Sequence, residues 1–442
     1  MMNKYMEIFI VLILSLFLRI ISLNQSLWLD EATTALVSKM DLKMFFMQFI
    51  PNDFHPPLYY NILQAWTYLF GTSEIVLRVP SLIFGILTVY VTYLIASRFE
   101  GNSLGKIKWP IVPALFLATS GLHIYYSQEA RMYALATLLV SLIFLNYIDK
   151  KWLNLSLLFA LLFLTDYLSM IVLPVLFIHT YFKDYKNLKK LLLSTIPLIV
   201  IFLLWSPIFF SQLDSGLALK TENSSWWNAL GPVTVKNVAL IPTKFLIGRV
   251  SFENKLIYGG VMSIISLFFI YIIGNAKNKL FWNWFGLSLF LGIVVSFFIP
   301  TLTYFRYLFI LPAFYLLLSE TKSKIFIVLI LIVNLLSSYF YLSWPKFQRE
   351  NWRSIKPVVG TNKIITPSTS QNEALVYYDL KNQVVYYKEF SDTKNNSEVW
   401  LSRYVTDISD PSNLSVKYLE NLGYNWVEEK NFNGVVFWKY KL

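Results

Sequence analysis

The chain has 442 residues, 56% of them hydrophobic and only 14% charged, with a mean hydropathy of +0.52. A water-soluble domain carries about 25% charged residues, so this composition excludes an ordinary soluble protein and requires lipid to cover apolar surface. The absence of cysteine rules out disulfides and thiolate metal sites, three histidines make a His-rich metal cluster a poor reading, and the net charge of +12 must be mapped onto loops before it can argue for nucleic acid.

The first apolar run, Tyr5 to Leu23, is long for a cleaved leader and has no small-residue cleavage site after it, so it reads as a first membrane helix that stays. Directly after it, SLWLDEATTALVSK (26–39) sets Asp30 beside Glu31. The plain reading is a helix cap at Asp30 with an amphipathic surface helix behind it. The sharper one is a general base, or a metal-binding carboxylate, in a cavity at the membrane surface. Both can hold together, because a capping position also fixes a side chain.

NDFHPPLYY (52–60) follows. Its paired prolines stiffen the chain and suit a first helical turn; His55 is either a turn residue at the water boundary or a donor to a phosphate or sugar, with Tyr59 nearby. The segment from Leu58 to Gly71 is apolar, but 14 residues give only about 21 Å of helix against the ~30 Å of a bilayer core. In SEIVLRVPS (73–81), Glu74 and Arg78 stand four apart and read as an exposed salt bridge ahead of a span.

Runs long enough to span lie near 5–23, 81–98, 109–127, 130–148, 191–213, 255–274, 281–299, 302–319 and 325–343. The region 152–182, interrupted by Thr165, Asp166 and Tyr167, reads as two short spans, for a total of about eleven. If 58–70 lies along the surface and Met1 is inside, the basic loops 98–108, 149–151, 183–190, 275–279 and 320–324 all fall on the cytoplasmic side. Asp30, Glu31 and Glu129 then share the outer face, and most of the net charge is a topology signal needing no nucleic-acid partner. YYSQEARMYAL (125–135) puts Tyr126, Glu129 and Arg131 where one span exits and the next enters. They form either an interfacial ion network with an aromatic belt or a cavity-facing site. Arg306, in LTYFRYLFILP (302–312), either snorkels to the interface or meets a lipid phosphate.

From Trp344 the composition turns polar. NEALVYYDL, QVVYYKEF, SEVWLSRYV and NGVVFWKYKL read as short strands, with a helical candidate at 411–422. The expected organisation is a membrane all-α domain over 1–343 and a small extracytoplasmic soluble α/β domain over 344–442.

Taken as an ordered set, LWLDEA, HPPLYY, FGTSEIVLRVPS, YYSQEARMY, RYLFILP and NWRSIKPVV resemble the membrane glycosyltransferases of family 39 and their dolichyl-phosphate-mannose-protein mannosyltransferase-like relatives. The match is densest over 24–135. The resemblance implies the GT-C fold and a multi-pass enzyme of the cell membrane. Such an enzyme moves a sugar, with inversion, from a polyprenyl-phosphate carrier to a glycan, lipid or protein acceptor on the outer face. It implies a catalytic Asp in the first outer loop at Asp30, beside Glu31, and a second acidic residue at Glu129. Aminoarabinose-transferring relatives carry a phosphate-contacting Lys where this chain has His55, and Arg306 matches a carrier-phosphate cation.

On the chemistry, Asp30 would take the acceptor proton, while Arg306, His55 and Arg131 would neutralise the departing phosphate. Glu129 would orient the acceptor, and Tyr59 and Tyr126 would contact the substrate. No cofactor is certain beyond the polyprenyl-phosphate sugar as co-substrate; a divalent ion could sit at Asp30 and Glu129, with a thin ligand set. The rival classes are a lipid-linked-sugar flippase, which would call for inverted repeats and midplane charges, and a polyprenyl-pyrophosphate-glycan polymerase or ligase. Sidedness is directly testable: a cysteine introduced near residue 390 of this cysteine-free chain should react with an impermeant maleimide on intact cells. Labelling only after lysis would invert the topology.

Overall fold

The computed structural model describes residues 4–99, 109–222, 224–321, 323–391 and 396–442. The first helix, Lys4–Ile20, shows how the bundle is built: Tyr5, Phe9, Ile13, Phe17 and Ile20 face outward, while Ser15 and Arg19 are buried. The later helices repeat this pattern, with Leu203, Leu204, Leu267 and Phe290 exposed and Thr88, Thr92, Asn334 and Ser338 inside. Water would penalise such an inside-out arrangement, whereas lipid covers apolar faces at no cost and leaves polar groups to pair within the bundle.

Among the described residues, four helices are long and apolar enough to cross a membrane by length and composition: Glu74–Ala96, Tyr185–Thr221, Lys279–Ser296 and Lys324–Ser343. Five further apolar helices have 10–17 residues. Several greasy runs are broken by local chemistry. The run 109–127 divides into Ile111–Thr119 and Gly121–Ser127 because Ser120 leaves the helical region (ψ 115°) and its side chain caps the second piece. The break leaves carbonyls unpaired, and Arg19 takes two of them, at Leu117 and Ala118, along with Ser15 Oγ, Ser127 Oγ and His123 Nδ1. The region 152–182 forms the helices Trp152–Phe163 and Val172–Lys183 on either side of a turn and a short 3-10 segment.

The helix Leu58–Phe70 begins and ends at the same end of the bundle. The Leu58 amide donates to the Leu164 carbonyl, and the Thr72 carbonyl beyond it accepts from Tyr377. The basic connections gather at the opposite end. There Arg98 pairs with Asp149 at 2.9 Å, Lys150 with Asp184 at 3.5 Å, and Glu320 accepts from the Lys277 amide at 2.7 Å. Most of the basic loop 98–108 lies outside the described residues.

Beyond Ser343 the chain forms a five-stranded sheet: β1 (Lys363–Thr366), β2 (Val384–Tyr386), β3 (Glu398–Ser402), β4 (Asn425–Phe432) and β5 (Val435–Lys441), in the order β2-β1-β3-β5-β4. β1 runs parallel to β2 and β3, with Ile364 opposite both Val384 and Trp400, and β5 runs antiparallel to β3 and β4. The helix Leu414–Asn421 falls within the expected 411–422.

Two expectations are corrected. EALVY (Glu373–Tyr377) is a helix, not a strand: strong helix formers open it, Ala374 and Leu375 bury in the core, and the next residue's Tyr378 hydroxyl accepts from the Leu27 amide at 2.8 Å. Conversely, β1 and β4 are strands that the pattern had left unassigned. β4, NWVEEKNF, is mostly exposed, so it has little hydrophobic alternation to read.

Candidate active site

Four segments far apart in sequence converge at the end of the bundle opposite the basic loops. They are the helix Leu29–Val37, the connection 128–132, the loop after Val235–Ile247, and the stretch 346–350 leading into the sheet. They enclose a pocket of about 470 Å³ lined by Asp30, Glu129 and Glu350, by Arg249, Lys346 and Arg349, and by Trp28, Tyr125, Tyr126, Tyr133, Tyr304 and Phe305. The carboxylates and cations suit a charged, hydroxyl-rich ligand, and the aromatic wall offers faces for a sugar or lipid.

The pocket floor is a buried ion network. Glu31 accepts from Arg78 Nε at 2.8 Å and Nη2 at 2.5 Å, faces Arg349 Nε at 3.2 Å, and accepts from the Ala130 amide at 2.9 Å. Arg78 spends its remaining donors on the carbonyls of Leu23, Gln25 and Ser26. The expected Glu74–Arg78 bridge therefore does not form. Glu74 instead faces Arg353 at 2.9 Å, because the buried guanidinium gains a bidentate carboxylate in the interior. Glu31, with its side chain fully enclosed and both oxygens engaged, is a structural anchor and cannot meet a substrate.

Exposure separates the carboxylates. The Asp30 side chain is 37% exposed, against 0% for Glu31 and 1% for Glu129. Asp30 faces Arg131 at 3.5 Å from inside the first turn of its helix; Trp28, not Asp30, is the N-cap. Glu129 faces Arg349 at 3.5 Å through one oxygen only. Burial is the main reason that its carboxyl is pushed up from 4.5 to about 7, with Arg349 opposing the rise and Glu31 adding to it. Glu350, held by Trp352 Nε1 at 2.8 Å and Tyr404 at 3.1 Å, is also raised, chiefly by burial. Four buried polar atoms at or just behind the pocket lining make no hydrogen bond among the described residues: Trp28 Nε1, Glu129 Oε1, Arg131 Nε and Arg349 Nε, the last keeping only its ionic contact to Glu31. Such orphans are costly and mark groups poised for a ligand.

The expected site residues divide accordingly. Asp30, Glu129 and Tyr126 line the pocket, and Arg131 stands directly behind Asp30. Tyr59 does not line it: its hydroxyl is buried against Ser81 Oγ at 2.8 Å. Arg306 lies off the lining and caps the carbonyls of Leu230 and Pro300, freed where helices end, at 3.3 and 3.1 Å. His55 turns its ring between Asp53 and Arg131, at 3.4 and 3.3 Å, instead of into the pocket. For the divalent ion expected at Asp30 and Glu129, no group of three His, Cys, Asp or Glu able to hold a metal is found among the described residues, which leaves Asp30 and Glu129 short of ligands.

Sequence reasoning missed Arg249, Lys346, Arg349 and Glu350. Arg249 stacks over the Tyr125 ring at 4.7 Å and reaches the Tyr304 hydroxyl at 3.4 Å, with no carboxylate partner among the described residues. Its one available signal was an arginine after Gly248 (φ +57°) in a loop on the acidic face. Asn433 and Gly434, the tight turn of the β4–β5 hairpin, also reach the pocket. Asn433 Nδ2 donates to the carbonyls of Pro345 at 2.8 Å and Arg349 at 2.7 Å, pinning the segment that carries Arg349.

Residues 54–209 match the family model described as dolichyl-phosphate-mannose-protein mannosyltransferase. This match spans about a third of the chain and supports a likeness to the GT-C, mannosyltransferase-like glycosyltransferases. Its fold matches that of ArnT from Cupriavidus metallidurans in the apo state, at 12% identity and a TM-score of 0.50, covering 98% of this chain and 97% of that one. It also matches the oligosaccharyltransferase of Archaeoglobus fulgidus tethered with an acceptor peptide, at 11% identity and a TM-score of 0.50, over 86% of this chain and 64% of that one. No curated protein matches the chain.

Because Glu129 binds its proton more tightly folded than unfolded, the folded state holds the extra proton between pH 4.5 and about 7. Stability should therefore fall as pH rises through that window, by at most about 1.4 kcal/mol per unit. Melting profiles of the detergent-solubilised protein and of Glu129→Gln across this range should differ in that sense, with the wild-type Tm losing ground to the variant's as pH rises.

Proposed function

We propose that this protein is an inverting glycosyltransferase that moves a sugar from a polyprenyl-phosphate carrier to an acceptor hydroxyl. We place the pocket and the sheet domain (344–442) on the outer face of the cell membrane, with about eleven membrane passages. The family match supports the donor class. The observation that carries the site reading is the exposure of Asp30: among Asp30, Glu31 and Glu129 it is the one whose carboxylate is open to solvent rather than enclosed.

In this reading Asp30 accepts the acceptor proton as the acceptor oxygen attacks the anomeric carbon. The carbon–phosphate-oxygen bond breaks on the opposite face, and the carrier phosphate leaves with the electron pair. Arg249, which has no carboxylate within ion-pairing distance among the described residues, takes the phosphate, and Lys346 adds charge at the rim. The buried pair of Arg349 and Glu129 fixes the wall between them, and the raised Glu129 carboxyl can hold a hydrogen bond to a sugar hydroxyl in either protonation state. Enclosure by Tyr125, Tyr126 and Phe305 excludes water from the leaving group.

The test offers the reconstituted protein a polyprenyl-phosphate sugar and a polyprenyl-pyrophosphate glycan, and identifies which is consumed. Transfer should use the former, Asp30→Asn should abolish it while the protein still inserts, and Arg249→Gln should raise the donor KM by about tenfold, the loss of one charge-assisted contact. Consumption of the pyrophosphate glycan, translocation without cleavage, or a fully active Asp30→Asn would each refute this reading.

A further inference from the structure

A chain of contacts outside the pocket lining ends on Asp30. Tyr60, in the helix Leu58–Phe70, donates its hydroxyl to Asp53 Oδ2 at 2.8 Å, and Asp53 Oδ1 lies 3.4 Å from His55 Nδ1. His55 Nε2 lies 3.3 Å from Arg131 Nη2, and that same nitrogen faces Asp30 Oδ2 at 3.5 Å. The frame is rigid: Gln212 Nε2 donates to the carbonyls of Ile50 and His55, at 2.7 and 3.2 Å, and Gln212 Oε1 accepts from Tyr167 at 2.7 Å.

A guanidinium has donors only, and a neutral imidazole carries one N–H. Nε2 must therefore accept from Arg131, which leaves the ring proton on Nδ1, directed at Asp53. Asp53 thus accepts from the ring on one oxygen and from Tyr60 on the other. A second ring proton would set an N–H against the guanidinium and push Arg131 off Asp30. The charged and titratable groups facing this ring are Asp53, Tyr60 and Arg131, with Asp166 on the 164–168 turn.

We propose that Asp53 and His55 form a positioning dyad: Asp53 fixes the ring as its Nδ1–H tautomer, and the ring holds Arg131 against Asp30. His55 is thus a neutral acceptor and does not serve as a phosphate cation. The catalytic consequence rests on the glycosyltransferase reading above; the tautomer does not.

The other two histidines give a built-in control. Arg19 donates to His123 Nδ1 at 2.6 Å, and Asn283 Nδ2 donates to His179 Nδ1 at 2.9 Å, so both of those rings carry their proton on Nε2. Nitrogen-15 NMR of the full-length protein, labelled at histidine, in lipid nanodiscs at pH 8, should show one Nδ1–H ring and two Nε2–H rings. The odd ring should vanish in His55→Asn. Three Nε2–H rings, or an odd ring that survives His55→Asn, would overturn the dyad whatever the enzyme does.

In the transfer assay Asp53→Asn should lower kcat on the order of 10²-fold, as expected for a misplaced catalytic group. The donor KM should stay unchanged. A kcat within twofold of wild type, or a donor KM that rises in step with the loss of kcat, would remove its catalytic role. If wild type shows the expected tautomers but transfers no sugar, the dyad stands and the glycosyltransferase reading falls.

Discussion

The carboxylate of Glu31 is the point on which the architecture depends. It ties the first loop to the helix Glu74–Ala96 through Arg78, to the 128–132 connection through the Ala130 amide, and to the sheet domain through Arg349. None of these groups would be tolerated alone in a buried setting, since removing one partner of a buried pair costs about 3–5 kcal/mol. Together they offset one another's desolvation, and two arginines against Glu31 and Glu129 leave the floor close to neutral. The network explains why an acidic dipeptide follows a membrane helix directly: one residue locks the loop, and the lock presents its neighbour to the pocket.

That division of labour follows from helical geometry. Asp30 and Glu31 are consecutive on Leu29–Val37, so their side chains diverge by about 100°. The inward one is saturated by cations and an amide, and the outward one keeps an oxygen exposed beside Arg131. Glu129, on the opposite wall, sits between these extremes. It is buried beside one guanidinium, and its second oxygen is unpartnered. Three carboxylates within one small volume thus differ in access, and the two buried ones, Glu31 and Glu129, are shifted in opposite directions, a separation of roles that acid–base chemistry at one site requires.

The sheet domain is part of the site. Lys346, Arg349 and Glu350 enter the pocket from the stretch joining it to the last long helix, and the Asn433–Gly434 turn holds that stretch by its carbonyls. In the sequence this region showed only as a change to short polar-flanked strands. Its pocket residues stood among ordinary surface charges, and nothing local distinguishes Arg349, which is buried, from Arg353, which is partly exposed. The same blindness produced the Glu74–Arg78 pairing: spacing of four on a helix is a local signal, and the buried carboxylate that outcompetes it lies 47 residues away.

Composition, apolar runs and an ordered set of motifs were enough to point to a membrane helical protein with a small α/β appendage, to a charge asymmetry between its loops, and to Asp30 and Glu129 as candidate site residues. These are properties of local hydrophobicity and chain order, and they need no knowledge of contacts. Tertiary structure alone decided which acid is anchored and which is open, that Arg306 and Tyr59 serve the scaffold, that His55 faces Arg131, and that Arg249 and Arg349 supply the pocket's cations. The reason is physical: a side chain's role at such a site is set by which partners satisfy it and how far it is buried, and both depend on residues tens to hundreds of positions away.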